Sequence, residues 1–150
     1  MEIKDKLENI KFIIDNDNAI NCSDLKGKKL IVYFYPKDDT PGCTKEAIEF
    51  SNLKDEFKKK NVNIIGVSKD SIEKHQKFTS KYNLNLKLAS DEDLKICKTF
   101  KVWVEKSMYG KKYMGIERST FLFNENLQLV KSWRKVKVNG HAEEVLNSID

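Results

Sequence analysis

Leu30-Ile31-Val32-Tyr33-Phe34-Tyr35-Pro36-Lys37-Asp38-Asp39-Thr40-Pro41-Gly42-Cys43-Thr44-Lys45-Glu46 is the stretch on which the reading of this chain turns. Its first six residues are apolar or aromatic with high β-propensity, and they show no polar alternation. That pattern predicts a central strand buried on both faces of a sheet. Pro36 has no amide hydrogen to give a ladder, so the strand ends there. An acidic loop follows. From about Thr44 to Lys59 the residues Ala47, Phe50, Leu53 and Phe57 then recur at helical spacing.

Outward from this segment the element types alternate. Val62–Ser68 reads as a second buried strand, and Asp70-Ser71 can cap a helix that runs to about Tyr82. Leu86–Ala89 reads as a short strand and Asp91 to Phe100 as a short helix, while Gly110 and Gly115 bracket a loop or hairpin region. Ser119–Phe123 and Leu127–Trp133 form a hairpin across Asn124-Glu125-Asn126, and Ala142 to Ile149 is a terminal helix. Toward the N-terminus, Phe12–Asp15 and Ala19–Cys22 flank Asn16-Asp17-Asn18, the signature of a short hairpin. The order β-β-β-α-β-α-β-α-β-β-α predicts an α/β fold with a central mixed β-sheet flanked by helices. A thioredoxin-like fold preceded by an N-terminal β-hairpin fits it, as one domain spanning 1–150.

Composition narrows the function classes. The 28 Lys+Arg outnumber the 23 Asp+Glu for a net charge of +5, but all the basic residues except Arg118 and Arg134 are lysines interleaved with acids. The densest run, Phe57-Lys58-Lys59-Lys60, closes a predicted helix, where cations complement the macrodipole. A solvated lysine surface is expected, with no nucleic-acid partner. No run approaches the ~18–20 apolar residues of a membrane helix, and MEIKDKLENIKF lacks a signal-peptide core. The expected setting is the cytoplasm, where thiols stay reduced. Three cysteines leave at least one unpaired. Cys22, Cys43 and Cys97, with His75 and His141, lack the paired spacing of a zinc site, so no metal is expected. Both histidines read as surface residues. No glycine-rich nucleotide loop is present, and no cofactor is expected. Trp103 and Trp133 read as core.

Cys43 opens the helix that follows the buried strand. A free thiol has a pKa near ~8.5 and is mostly protonated at neutral pH. The first turn of a helix exposes it to unpaired amides and the positive end of the dipole, which favour the thiolate. Thr40, three residues earlier, supplies a hydroxyl able to donate to the thiolate and then to an incoming oxygen, while Pro41 and Gly42 shape the bend. The set argues for an activated cysteine.

Pro36, Thr40 and Cys43 reproduce the P-x-x-x-T-x-x-C signature of peroxiredoxins, and FYPKDDTPGCTKE resembles the PrxQ group, also called bacterioferritin comigratory protein. The likeness continues through Gly66-Val67-Ser68 with Asp70, Ser90-Asp91, Val102-Trp103 and Gly115 to Leu122. The resemblance implies a thiol peroxidase that reduces hydrogen peroxide or alkyl hydroperoxides. Cys43 would be the peroxidatic cysteine, oxidised to a sulfenic acid. Thr40 would hydrogen-bond thiolate and peroxide, and Pro36 would shield the sulfenate. Arg118 would hold the thiolate and polarise the peroxide. Glu46 would orient the arginine, or cap the first helical turn. A monomer is implied, with thioredoxin, glutaredoxin, glutathione or another thiol as reductant.

The sequence departs from that group at the resolving cysteine. Five residues after Cys43 stands Ile48, and the following helix, through Lys77-Phe78-Thr79-Ser80, has no cysteine. Cys97 lies on an apolar stripe with Leu94 and Phe100 and reads as a buried hydrophobe. Cys22 matches no motif. A disulfide needs Cα atoms within roughly 7 Å, so either one would require local unfolding to reach Cys43. A one-cysteine cycle is therefore expected, with a non-catalytic thiol sensor or thioredoxin-like binding module as the alternative. A disulfide oxidoreductase is disfavoured because Thr40 occupies the first position of a C-x-x-C motif.

Overall fold

The computed structural model describes residues 1–150. In chain order, the first elements are β1 (Lys11–Ile13), β2 (Ala19–Asn21), β3 (Lys29–Phe34), α1 (Pro41–Asn52), α2 (Lys54–Lys59) and β4 (Val62–Ser68). Then follow α3 (Ile72–Tyr82), β5 (Lys87–Ser90), α4 (Lys95–Thr99), β6 (Trp103–Met108) and β7 (Lys111–Ile116). The chain closes with β8 (Ser119–Phe123), β9 (Leu129–Trp133) and α5 (His141–Asn147). Seven strands form one mixed sheet in the order β2-β1-β5-β4-β3-β8-β9, and β6 and β7 form a separate two-stranded sheet. β3, β4 and β5 run parallel, linked by α1–α2 and by α3, whereas β8, β9, β1 and β2 join antiparallel.

β3 lies between β4 and β8, and its side chains alternate between two cores. Leu30, Val32 and Phe34 enter one with α4, Val102, Ile116 and the N-terminal segment. Ile31, Tyr33 and, just past the strand, Tyr35 enter the other with α1, α2, Phe78 of α3, and α5. Helices and loops cover both faces, which is why the strand shows no polar alternation. Gly66 on β4 sits opposite Tyr33, and a Cβ there would come within 2.7 Å of the Tyr33 ring, so only glycine fits.

Several predicted elements are redrawn. The helix expected from Thr44 to Lys59 begins at Pro41 and divides at Leu53, whose ψ of 3° leaves the helical range. Phe50 and Phe57 stay fully buried on either side of the break. The helix expected from Asp91 shrinks to α4 because Leu94 turns left-handed (φ 64°), and the Asp91 carboxylate accepts from the amides of Ile96 and Cys97 at 3.1 and 2.8 Å. The region bracketed by glycines is a regular hairpin, β6–β7. Its two-residue turn, Tyr109-Gly110, has φ of 52° and 79°, the positive pair that matches strand twist. Trp103 and Trp133 are half-buried at the margins of the two cores.

Candidate active site

The chain leaves β3 at its carboxyl end, the edge where open α/β sheets present their sites. Pro36, half-buried, starts the loop. Thr40 is the N-cap of α1 with extended backbone, and Pro41, Gly42 and Cys43 are its first three residues. The thiol therefore lies in the first turn, where the amides have no intrahelical partner and the dipole favours an anion. Cys43 is 2% exposed.

Arg118, between β7 and β8, reaches across to it. One guanidinium nitrogen, Nη2, donates toward Cys43 Sγ at 3.3 Å, and the other, Nη1, donates to Glu46 Oε1 at 2.7 Å. Cys43 and Glu46 stand three residues apart on one helix, so both face the same cation. A Cβ on Gly42 would come within 3.2 Å of Arg118 Nη2, so the glycine leaves room for the guanidinium. Burial pushes the Glu46 carboxyl up to about 7, although Arg118 pulls it down. Burial also works against the charge on Arg118, but Glu46 and Cys43 outweigh it and hold the guanidinium protonated. Glu46 lies in the second turn, too far along α1 to cap it, and its second oxygen, Oε2, has no partner. The Thr40 hydroxyl donates to the Lys37 carbonyl at 2.9 Å rather than to Cys43.

Both histidines, expected on the surface, are buried, at 2% exposure for His75 and 3% for His141. His141 opens α5 and meets Thr120 Oγ1 at 2.8 Å, and burial lowers its pKa. His75 ties α3 to the loop before Cys43. Its Nδ1 lies 2.6 Å from Asp38 Oδ2 and its Nε2 3.0 Å from the Ala89 carbonyl. Tyr35 donates to the other Asp38 oxygen at 2.6 Å, and Asp70, held by Ser68, accepts the Asp38 amide at 2.8 Å. A carbonyl can only accept, so Nε2 donates to Ala89. Nearly two turns further along α3, Lys81 and Tyr82 both donate to Asp39. The sequence carried a signal for the first of these contacts, because His75, Phe78 and Tyr82 recur at i, i+3 and i+7 on the buried stripe of α3.

The other two cysteines lie elsewhere. Cys97 is fully buried, and burial pushes its thiol pKa well up. Cys22, 4% exposed, donates toward the Leu7 carbonyl. Both belong to the core on the face of the sheet opposite Cys43.

Residues 3–132 match the AhpC/TSA family. The chain belongs to that family. It is 46% identical over 149 residues to the peroxiredoxin Bcp of Bacillus subtilis, covering 99% of this chain and 95% of that one. It is 50% identical over 123 residues to the peroxiredoxin Bcp of Xanthomonas campestris, covering 82% and 77%. A cysteine-to-serine variant of PrxQ from Xylella fastidiosa superposes with a TM-score of 0.93 at 43% identity, covering 99% and 94%. The bacterioferritin comigratory protein of Xanthomonas campestris, described for its alkyl peroxide reduction activity, superposes at 0.89 with 41% identity and 96% coverage of both chains. The chain is a peroxiredoxin on a thioredoxin-like fold, and so a thiol-dependent peroxidase.

Proposed function

We propose that Cys43 is the peroxidatic nucleophile and that it completes a one-cysteine cycle on hydrogen peroxide and alkyl hydroperoxides. The observation that carries this reading is the 3.3 Å contact between Arg118 and Cys43 Sγ, with Arg118 held by a buried carboxylate. The Cys43 thiolate attacks one peroxide oxygen, the O–O bond breaks, and water or an alcohol leaves. The sulfur remains as a sulfenic acid. Arg118 stabilises the thiolate and then the charge developing on the departing oxygen. Glu46 fixes the guanidinium. The Thr40 donor is spent on Lys37, so its oxygen meets the incoming hydroperoxide as an acceptor. Pro36 covers the sulfenate from the loop side.

The one-cysteine cycle is supported by the sheet itself. Cys22 and Cys97 lie beneath the opposite face, so an intramolecular disulfide to Cys43 would require the core to open. Ile48, where the group's common pattern has a resolving cysteine, is half-buried on α1. An external thiol, such as thioredoxin, glutaredoxin or glutathione, therefore reduces the sulfenate. The working unit is a monomer acting in the cytoplasm as one domain over residues 1–150. It needs no cofactor, metal or nucleic acid. No helix is long and apolar enough to cross a membrane.

One equivalent of peroxide followed by intact and peptide mass measurement tests the reading. A sulfenic or sulfinic acid on Cys43 alone is expected, with peroxide consumption lost in Cys43→Ser. A Cys43–Cys97 or Cys43–Cys22 linkage would overturn the one-cysteine cycle. Undiminished peroxide consumption by Cys43→Ser would overturn the assignment of the nucleophile.

A further inference from the structure

The β6–β7 hairpin stands apart from the main sheet and carries four of the six large exposed hydrophobic residues, Met108, Tyr109, Tyr113 and Met114. Tyr109 at the tip is 98% exposed. Apolar side chains clustered in this way mark an interaction surface more often than scattered ones do. The register sorts them. Val104 pairs with Gly115, Lys106 with Tyr113, and Met108 with Lys111, so these six side-chain positions share one face. Trp103, which packs on the core, the buried Ile116, Glu105 and the exposed Met114 lie on the other. The Lys106 stem lies over Gly115, and β7 ends at Ile116, two residues before Arg118. The face thus runs from an exposed Met-Tyr-Lys end toward the guanidinium that touches Cys43.

We propose that this face, with Met108, Lys111 and Tyr113 at its outer end and Lys106 over Gly115 at its inner end, is the docking ledge for the protein that reduces Cys43. The occupant is a dithiol protein whose reactive thiol is rimmed by carboxylates. This inference rests on the one-cysteine reading, which requires a thiol from outside, and three observations select the occupant. The ledge presents two lysines and no acid, and Arg118 continues the positive charge at its inner end, so the complementary rim is acidic. Tyrosine and methionine supply contact area suited to a transient protein interface. Cys43 is buried, so a partner that delivers a thiol to it must be aligned beside it. The chemistry balances in two steps. The first thiol of the partner attacks the Cys43 sulfenic acid, forming a mixed disulfide and releasing water. Its second thiol then displaces Cys43 as a thiol, and the partner leaves as an intramolecular disulfide, having supplied two electrons.

Thioredoxin, kept reduced by thioredoxin reductase and NADPH, is the probe, with dithiothreitol as the small-molecule control. Tyr113→Ser combined with Lys111→Glu is expected to lower kcat/KM for thioredoxin roughly 10-fold or more. Turnover with dithiothreitol and single-turnover oxidation of Cys43 by peroxide should stay at the wild-type rate. The contribution of Lys111→Glu should shrink as salt is raised. Unchanged thioredoxin turnover, or an equal fall with dithiothreitol, would overturn the ledge. So would wild-type turnover no faster with thioredoxin than with dithiothreitol. Two further results would assign the face to another occupant and overturn the proposal. One is a wild-type dimer in sedimentation that the variant dissociates. The other is binding to phosphatidylglycerol vesicles that the variant loses. If peroxide leaves wild-type Cys43 unoxidised, the peroxidase reading fails and takes this inference with it. Intact oxidation with unimpaired thioredoxin turnover removes the ledge alone.

Discussion

The two faces of β3 are built from one strand and do opposite things. Leu30, Val32 and Phe34 point into a core where Cys22 and Cys97 lie among aliphatic and aromatic side chains. Ile31, Tyr33 and Tyr35 point into a core of similar size that also holds Cys43, with Glu46, His75 and His141 buried on the same side. All three thiols are buried. Cys43 and Cys97 each lie in the first turn of a helix, but the amides at the start of α4 are taken by the Asp91 carboxylate, and only Cys43 has a guanidinium in front. That difference in position is what favours Cys43 as the proposed nucleophile: a thiol without a cation beside it behaves as a small hydrophobe.

Removing the cation is the sharpest way to break this contrast. Arg118→Met should slow Cys43 oxidation by peroxide about 100- to 1,000-fold, the range seen when a donor to developing negative charge is lost. Stopped-flow measurement of the oxidation rate checks it. Arg118→Lys should recover only part of that loss, because one ammonium group cannot span Cys43 and Glu46 as the two guanidinium nitrogens do. Equal rates in the methionine variant and the wild type would mean that the two faces differ for some other reason.

The polar face also carries its own structural constraint. His75→Leu leaves Asp38 buried with an unpaired oxygen, and such a break typically costs about 3–5 kcal/mol. Tyr35→Phe removes a single hydrogen bond to the same carboxylate and should cost about 1–3 kcal/mol. Urea denaturation of both variants measures the difference. A loss under 1 kcal/mol in His75→Leu would show that this network does not hold the loop ahead of Cys43.

Glu46 gives the contrast a pH dependence. Its folded-state pKa of about 7 lies above its ordinary value of 4.5. Between those values the native protein keeps a proton that the unfolded chain has released. Stability should therefore fall as pH rises from about 4.5 to 7, by on the order of 3 kcal/mol, and level off outside that window. Glu46→Gln keeps the shape and should flatten that slope. Denaturation at pH 5 and pH 8 compares the two proteins, and an unchanged slope in the variant would place the titration elsewhere.

Much of this arrangement is legible in the sequence, and the gaps have physical causes. The run Leu30–Tyr35 marks the central strand because both of its faces are dry. The spacing of Pro36, Thr40 and Cys43 marks the turn, and the scarcity of arginine draws attention to Arg118. His75 is harder to read, because its burial depends on Asp38 and Ala89, which reach it only through the parallel packing of β3, β4 and β5. The break at Leu53 carries no proline or glycine, and the helical period runs through it from Phe50 to Phe57. The β6–β7 hairpin lacks the alternation of a half-buried sheet because most of it faces solvent on both sides. Its one local signal is Tyr109-Gly110, where a bulky residue with positive φ hides the turn.

The smallest predicted effect bears on the dry face. Cys97→Ala removes one sulfur that has no cation beside it, and should cost about 1 kcal/mol of stability through the small cavity. The rate of Cys43 oxidation and the turnover with an external thiol should match the wild type within twofold, and so should those of Cys22→Ala. The reason is geometric. For either sulfur to take part, β3 and its neighbours would have to separate, exposing Phe34, Phe100 and Phe121, whose rings meet tilted or edge to face with centroids 4.9 to 5.7 Å apart. Burying side chains of that size contributes about 1.5–3 kcal/mol each, so opening the sheet once per turnover is far costlier than admitting a thiol past Arg118. A turnover defect in Cys97→Ala would therefore show that the sheet opens during the cycle, and the separation of one working cysteine from two packing cysteines would have to be abandoned.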